Sequence, residues 1–106
     1  MARAATTSDV FNAIAEPRRR DILAFLAMEE RSVTDIVDAL SLGQPSVSKH
    51  LKVLRDVGLV DARREGRQIF YRTNPEAMKP LQEFAATFQQ MWRHQLKRIK
   101  VRAEGM

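Results

Sequence analysis

The strongest constraint on this chain lies between Ser32 and Tyr71, where the spacing of apolar residues switches from helical to alternating. Val33, Ile36, Val37 and Leu40 recur at helical intervals, and after the short connector Ser41-Leu42-Gly43 so do Val47, Leu51 and Leu54. Leu59 to Arg64, a Glu65-Gly66 turn, and Arg67 to Arg72 then read as a β-hairpin. Two helices about a tight Gly-containing connector, followed by a hairpin, make a helix-turn-helix with a wing.

The flanks complete that unit with more helix. Ser8 or Asp9 is the expected cap of a first helix carrying Val10, Phe11 and Ile14. Pro17 suits the first turn of a second helix running to about Met28 with Ile22, Leu23, Phe25 and Leu26 inward. Ser32 with Asp35 resembles a capping box for the third helix, and Gly58 is placed to end the fourth as a left-handed residue. Pro75 restarts helix, Pro80 is expected to break or kink it, and a long final helix follows from about Leu81 to Arg102. The expected fold is mainly α with a small β-hairpin, a winged helix-turn-helix of order α-α-α-α-β-β-α. One domain covers 1–106: two helices over 8–28, the helix-turn-helix over 32–57, the wing over 59–73 and a dimerisation helix over 75–102.

A chain of 106 residues buries a limited core, and sharing a second core across a dimer is one remedy. Leu81, Phe84, Phe88, Met91 with Trp92, Gln95 and Ile99, with Leu96 beside them, recur at intervals of three and four in a heptad-like stripe. The stripe has two readings, packing against the protomer's own first helices and pairing with a twin. A helix leaving a small domain with Phe, Met and Trp uncovered presents a large apolar patch. The expected interface of a homodimer is therefore this stripe together with Val10, Phe11 and Ile14.

The formal charge of +5 and pI near 10.2 favour a polyanionic partner, nucleic acid before membrane. The charges concentrate where a helix-turn-helix meets DNA. With Val47, Leu51 and Leu54 inward, the fourth helix offers Gln44, Pro45, Ser46, Ser48, Lys49, His50, Lys52 and Arg55 to a duplex. Gln pairs with adenine, Ser donates to base or phosphate, and the helix N-terminus favours phosphate. Arg63, Arg64, Arg67, Gln68 and Arg72 add the wing, either as contacts to phosphate and narrow minor groove or as a solubilising strand edge. His50 is open between a DNA contact and a ring bonded at the domain edge. Arg18-Arg19-Arg20 begins a helix against its dipole, so these cations need partners, either phosphate or carboxylates elsewhere in a dimer. The basic run at the end of the last helix suits its macrodipole.

With no cysteine, disulfides and thiolate metal sites are excluded. The start lacks the apolar run of a secretory signal and no stretch reads as a membrane span, so the expected compartment is the cytoplasm, without a membrane partner.

Glu16-Pro17-Arg18-Arg19-Arg20-Asp21-Ile22-Leu23, then Gln44-Pro45-Ser46-Val47-Ser48-Lys49-His50-Leu51-Lys52-Val53-Leu54 with Gly58-Leu59-Val60, then Gly66-Arg67 and Tyr71, resemble the ArsR/SmtB (arsenic-repressor) family of bacterial regulators. The likeness covers about residues 8–100, and Asn74 to Leu81 with Trp92 is similar to its SdpR-like branch. The resemblance implies a dimeric repressor on double-stranded DNA at an imperfect inverted repeat. Metal-sensing members carry a Cys-x-Cys pair where this chain has Ser32-Val33-Thr34, and hydroxyls are poor ligands for soft ions. His94 stands without the paired ligands of zinc sensors. No metal or cofactor is expected from these residues, and they leave the effector open.

Two other classes compete. An enzyme needs a nucleophile–base pair, clustered carboxylates or a phosphate loop, and the chain has two His, no Cys and no Gly-rich loop. A winged-helix protein-interaction module is the closer rival, and the basic residues kept on the fourth helix and wing argue against it.

Overall fold

The computed structural model describes residues 6–104; the readings made of the first five residues and of the last two lie outside it. Five helices and three strands follow in order: α1 Thr7–Ile14, α2 Pro17–Phe25, β1 Arg31–Ser32, α3 Val33–Leu40, α4 Gln44–Asp56, β2 Val60–Glu65, β3 Gln68–Thr73, a 3-10 turn Glu76–Met78, and α5 Lys79–Glu104. The sheet is antiparallel with strand order β1-β3-β2. The expected winged helix-turn-helix is present, and β1 is an addition: Arg31 and Ser32 pair with Tyr71 and Phe70. A two-residue strand is too short to show alternation, so the sequence pattern did not reveal it.

Local chemistry fixes the ends of the helices. The cap of α1 is Thr6, two or three residues earlier than the expected Ser8 or Asp9. Thr6 Oγ1 accepts from the Asp9 amide at 3.2 Å and the Asp9 carboxylate accepts from the Thr6 amide at 2.9 Å. Ser32 and Asp35 form the expected box on α3 in the same way, at 3.2 and 3.3 Å. In the helix-turn-helix connector the left-handed residue is Ser41 (φ 54°), while Gly43 is the extended N-cap of α4. At the far end of α4, Gly58 (φ 83°) lets its own amide donate to Arg55 O at 3.0 Å and the Leu59 amide to Leu54 O at 2.9 Å. That is a Schellman closure, with Leu54 and Leu59 both fully buried beside it.

α2 stops at Phe25 rather than near Met28 because β3 claims its last carbonyls. Thr73 donates from Oγ1 to Leu23 O at 2.8 Å and from its amide to Leu26 O at 3.1 Å. Pro80 does not break a running helix. It is the second residue of α5, where no intrahelical amide bond is required, so the 3-10 turn passes into α5 at Lys79.

Ile22, Leu26, Ile36, Val47, Leu51, Leu54 and Leu59 are the fully buried centre, drawn from α2, α3, α4 and the start of the wing. Each such aliphatic side chain contributes about 1.5–3 kcal/mol over leaving it in water. This core locks α3 and α4 onto α2 and leaves the opposite face of α4 outside. α5 is the exception to compactness: its 26 residues extend about 39 Å. Every described side chain from Gln82 to Lys100 is exposed.

Candidate nucleic-acid interface

α4 buries Val47, Leu51 and Leu54 as its spacing requires. Gln44, Pro45, Ser48, Lys49, Lys52 and Arg55 are exposed, and Ser46 and His50 are half-buried. No side chain caps the N-terminus of α4. Its first-turn amides therefore keep their capacity to meet an anion, with Gln44, Ser46 and Lys49 around them. Lys52 is engaged in an exposed i,i+4 pair with Asp56 at 3.0 Å, which leaves it free to exchange that weak partner for another anion.

The wing arginines divide by register. Cross-strand partners Asp61–Arg72, Arg63–Phe70 and Glu65–Gln68 alternate with Ala62–Tyr71 and Arg64–Ile69. Side chains alternate along a strand, so Arg63 and Arg72 share a face with Asp61 and Glu65, and Arg64 takes the other face with the buried Tyr71. Tyr71 closes a groove against Ser48, Lys52 and Arg55 of α4, so the Arg64 face adjoins the recognition helix. Arg63 donates to Glu30 and Glu65 and lies over the Phe70 ring. Those hydrogen bonds hold the Glu30 carboxyl below the usual carboxylate range and raise the guanidinium further above its ordinary value. Of the residues expected at DNA, Arg63 is thus engaged by carboxylates and Arg72 sits on the acidic face beside Asp61. Arg67 and Gln68 are exposed at the tip, where Gly66 (φ 62°) turns the chain.

Two of the three cations opening α2 find partners that residue types do not reveal. Arg20 Nη1 donates to the Ile14 and Ala15 carbonyls at 2.8 and 3.3 Å, and Arg19 Nη1 to Ala13 O at 3.3 Å. The negative end of α1 offsets the misplaced charges, in place of the phosphate or carboxylate expected for them. Arg19 Nε also donates to His50 Nδ1 at 3.3 Å. Burial first, then the Arg19 charge, lowers the His50 pKa. The ring is bonded at the domain edge through one nitrogen.

The expected dimer residues separate into two groups. Val10 belongs to the protomer's own core, 6% exposed, and is withdrawn from the interface: it lies on the inner side of α1 beside Ala13. Leu81 and Ile14 are half-buried against that core. Phe11 stacks edge-on to Phe84 at 5.2 Å and Phe84 to Phe88 at 4.9 Å, tying α5 to α1. Phe84, Phe88, Met91, Trp92, Leu96 and Ile99 nevertheless remain 45–62% exposed. They continue an apolar groove of about 710 Å³ between α1, α2 and α5.

Among the described residues no three His, Cys, Asp or Glu side chains gather as a metal site. The Ser32 hydroxyl is committed to the α3 cap.

A three-stranded wing packed on a two-helix reading unit defines the winged helix-turn-helix class. The family described as bacterial regulatory protein, arsR family, matches residues 16–62, from the start of α2 into β2. The transcriptional repressor SdpR of Bacillus subtilis is 32% identical over 72 residues, covering 68% of this chain and 80% of the repressor. The chain belongs to the ArsR family, whose members are regulators and not enzymes. A probable mercury resistance operon repressor of Streptomyces lividans is 41% identical over 66 residues, 62% of this chain and 53% of that protein, so the chain spans about half of that relative's length. A solved homodimeric winged helix-turn-helix DNA-binding domain from Mycobacterium bovis, a possible ArsR-family regulator, matches at TM-score 0.66 and 36% identity over 82% of this chain and 79% of the other.

Proposed function

We propose that this chain is a sequence-specific DNA-binding transcriptional regulator, a single winged-helix domain that acts as a homodimer and represses from an inverted-repeat operator. The observation that carries the reading is the N-terminal end of α4, held by a buried core yet exposed, uncapped by any side chain and surrounded by Gln44, Ser46, Ser48 and Lys49. Gln44 and Ser46 read base edges; the α4 amides, Lys49, Arg64 and Arg67 hold phosphates. Repression is supported by the printed names of the two relatives, both repressors.

The homodimer is supported by the uncovered Phe88, Met91, Trp92 and Ile99 and by the assembly named for the Mycobacterium bovis domain. Two α4 helices related by a two-fold axis then enter successive major grooves on one side of the duplex. Metal sensing at the usual family positions is not part of this reading, because Ser32 and Thr34 offer hydroxyls to ions that prefer thiolate. No helix among the described residues is long and apolar enough to cross a membrane, and we assign the protein to the cytoplasm.

A gel shift of the protein with its own upstream DNA, across a salt series and against random duplex, tests this. Regulation predicts preferential retardation of the upstream fragment that weakens steeply with salt. Equal or absent binding to all duplexes at physiological salt supports a protein-interaction module instead.

A further inference from the structure

The apolar groove of about 710 Å³ between α1, α2 and the root of α5 is walled by Phe11, Leu23, Met78, Leu81 and Phe84. Small side chains leave it open: Ala24 and Ala27 on one side and Ala85 on the other line the space without filling it. Its size suits a small organic molecule, for which pockets run from roughly 300 to 1,000 Å³. Among the described residues the one charged side chain lining it is Arg20, one turn before Ala24 on the same face of α2. Arg20 Nη1 donates to the Ile14 and Ala15 carbonyls at 2.8 and 3.3 Å, which orients the guanidinium without removing its charge. Its Nε and Nη2 have no acceptor among the described residues, and no carboxylate lines the groove.

We propose that this groove is a binding site for an amphipathic monocarboxylate, whose tail lies against Phe11, Leu23, Leu81 and Phe84 and whose carboxylate pairs with Arg20. A guanidinium takes a carboxylate through two parallel N–H donors, and Nε with Nη2 is one such edge. Arg63 holds Glu30 by that same edge elsewhere in the chain. The charge of the head group follows from the lining: an anion meets Arg20, whereas a cation meets it with no carboxylate in the groove to offset the repulsion. The site is separate from the DNA-reading face of α4 and does not rest on the DNA-binding function proposed above. It also lies inboard of the proposed dimer seam, which has Phe88 as its first fully uncovered aromatic, so Phe84 is the wall the two share. With α5 as one wall, the site occupies the joint between the reading domain and the assembling helix.

The test titrates the intact protein with decanoate, below its micelle concentration, in a calorimeter at about pH 7.5, where carboxylates are ionised and amines protonated. Decylamine and decanol, of equal chain length, are run beside it. Decanoate binds at one site per chain, and decylamine binds about tenfold more weakly. Arg20→Gln lowers the affinity for decanoate about fivefold and leaves decanol unaffected, because only the charged head loses its partner. Ala24→Leu, which puts a larger side chain into the groove, weakens both. Thermal melts check that each variant folds; should Arg20→Gln fold poorly, the head-group series and Ala24→Leu decide. Equal binding of decanoate and decylamine overturns the proposal, as does decanoate binding unchanged in folded Arg20→Gln or Ala24→Leu. Decanoate binding seen only when Phe88→Ala and Trp92→Ala are combined shows a second copy covering the groove and overturns it too. No binding to either protein has the same consequence, and the DNA-binding function stands in every case.

Discussion

Glu30 and Arg63 meet across the gap between the α2–β1 connection and the wing. Arg63 Nη2 donates to Glu30 Oε1 at 2.6 Å and Nε to Oε2 at 3.2 Å, a planar two-point pairing, while the guanidinium lies 5.2 Å from the Phe70 ring centroid. Residues 33 apart in sequence thereby tie the middle of β2 to the protein body. A guanidinium held in this fork offers less to phosphate than Arg67, which is exposed at the turn and has no carboxylate partner among the described residues.

The two arginines therefore separate in a salt series. Arg67→Ala is expected to lower the slope of log affinity on log salt by about one, and to weaken upstream and random duplex alike. Arg63→Ala should leave the slope near that of the wild type. Fluorescence anisotropy at several salt concentrations measures both. Equal losses would show that Arg63 abandons Glu30 for DNA.

The same pair gives the wing a pH dependence of definite sign. The Glu30 carboxyl is lowered, chiefly by the Arg63 hydrogen bonds. A depressed carboxylate contributes its stabilisation above the unfolded value, near pH 4.3 for Glu, and loses it as pH falls through the folded one. Amide exchange in β2 should stay slow from neutral pH into the mildly acid range and quicken only below about pH 4.3, after correction for intrinsic rates. Glu30→Gln should remove this acid step. A step that survives the substitution belongs to another carboxylate.

Gly58 tests the joint between recognition helix and wing. A Cβ there meets no atom within 4 Å, so Gly58→Ala carries no clash and isolates the conformational cost of φ 83°. Urea titration should show a loss of about 1 kcal/mol. Leu54→Ala, which empties a fully buried site beside the same closure, should cost roughly 2–5 kcal/mol. A neutral Gly58→Ala would mean the turn relaxes to a right-handed conformation and the Schellman bonds are dispensable.

Gln44 and Ser46 are assigned to base edges, and this assignment is separable from general affinity. Gln44→Ala or Ser46→Ala should reduce the preference for the upstream site over random duplex by about 1–3 kcal/mol, with random binding little changed. Competition gel shifts at fixed salt report that ratio. A preserved ratio with uniformly weaker binding would reassign the residue to phosphate positioning.

What was legible in the sequence follows from range. Helical and alternating periods, the Ser32–Asp35 box and the Gly58 terminator act over a few residues, and residues 32–73 folded as their spacing required. The Thr6 cap was misplaced because Thr6, Ser8 and Asp9 all carry capping chemistry within four positions. The end of α2 is set by Thr73, fifty residues away, and no local pattern encodes that claim on Leu23 O. Arg19 and Arg20 pair with backbone carbonyls, which every residue type owns and no sequence displays. Val10, Phe11 and Ile14 read as one apolar face of a short helix, but the fold divides it, burying Val10 with Ala13 and leaving Phe11 and Ile14 half-buried. Only the position of α5 decides which faces inward.

That same decision sets the strongest test of assembly. Phe11 and Phe84 close the root of α5 onto α1, but beyond them the stripe of Phe88, Met91, Trp92, Leu96 and Ile99 is left uncovered by the described residues. Apolar surface removed from water contributes about 25 cal/mol per Å², and aromatic side chains bury 150–250 Å² each. Losing two such groups from each copy therefore outweighs any loss of polar contacts at the rim. Phe88→Ala combined with Trp92→Ala should shift sedimentation from dimer toward monomer at micromolar concentration. The melting temperature should become less dependent on protein concentration, because a monomer, unlike a dimer, unfolds without mass-action coupling to assembly. Specific DNA affinity should fall further than random binding, since only the paired form presents two α4 helices in register. A double variant that sediments as an unchanged dimer would move the seam away from α5, and the exposed stripe would then need a different partner.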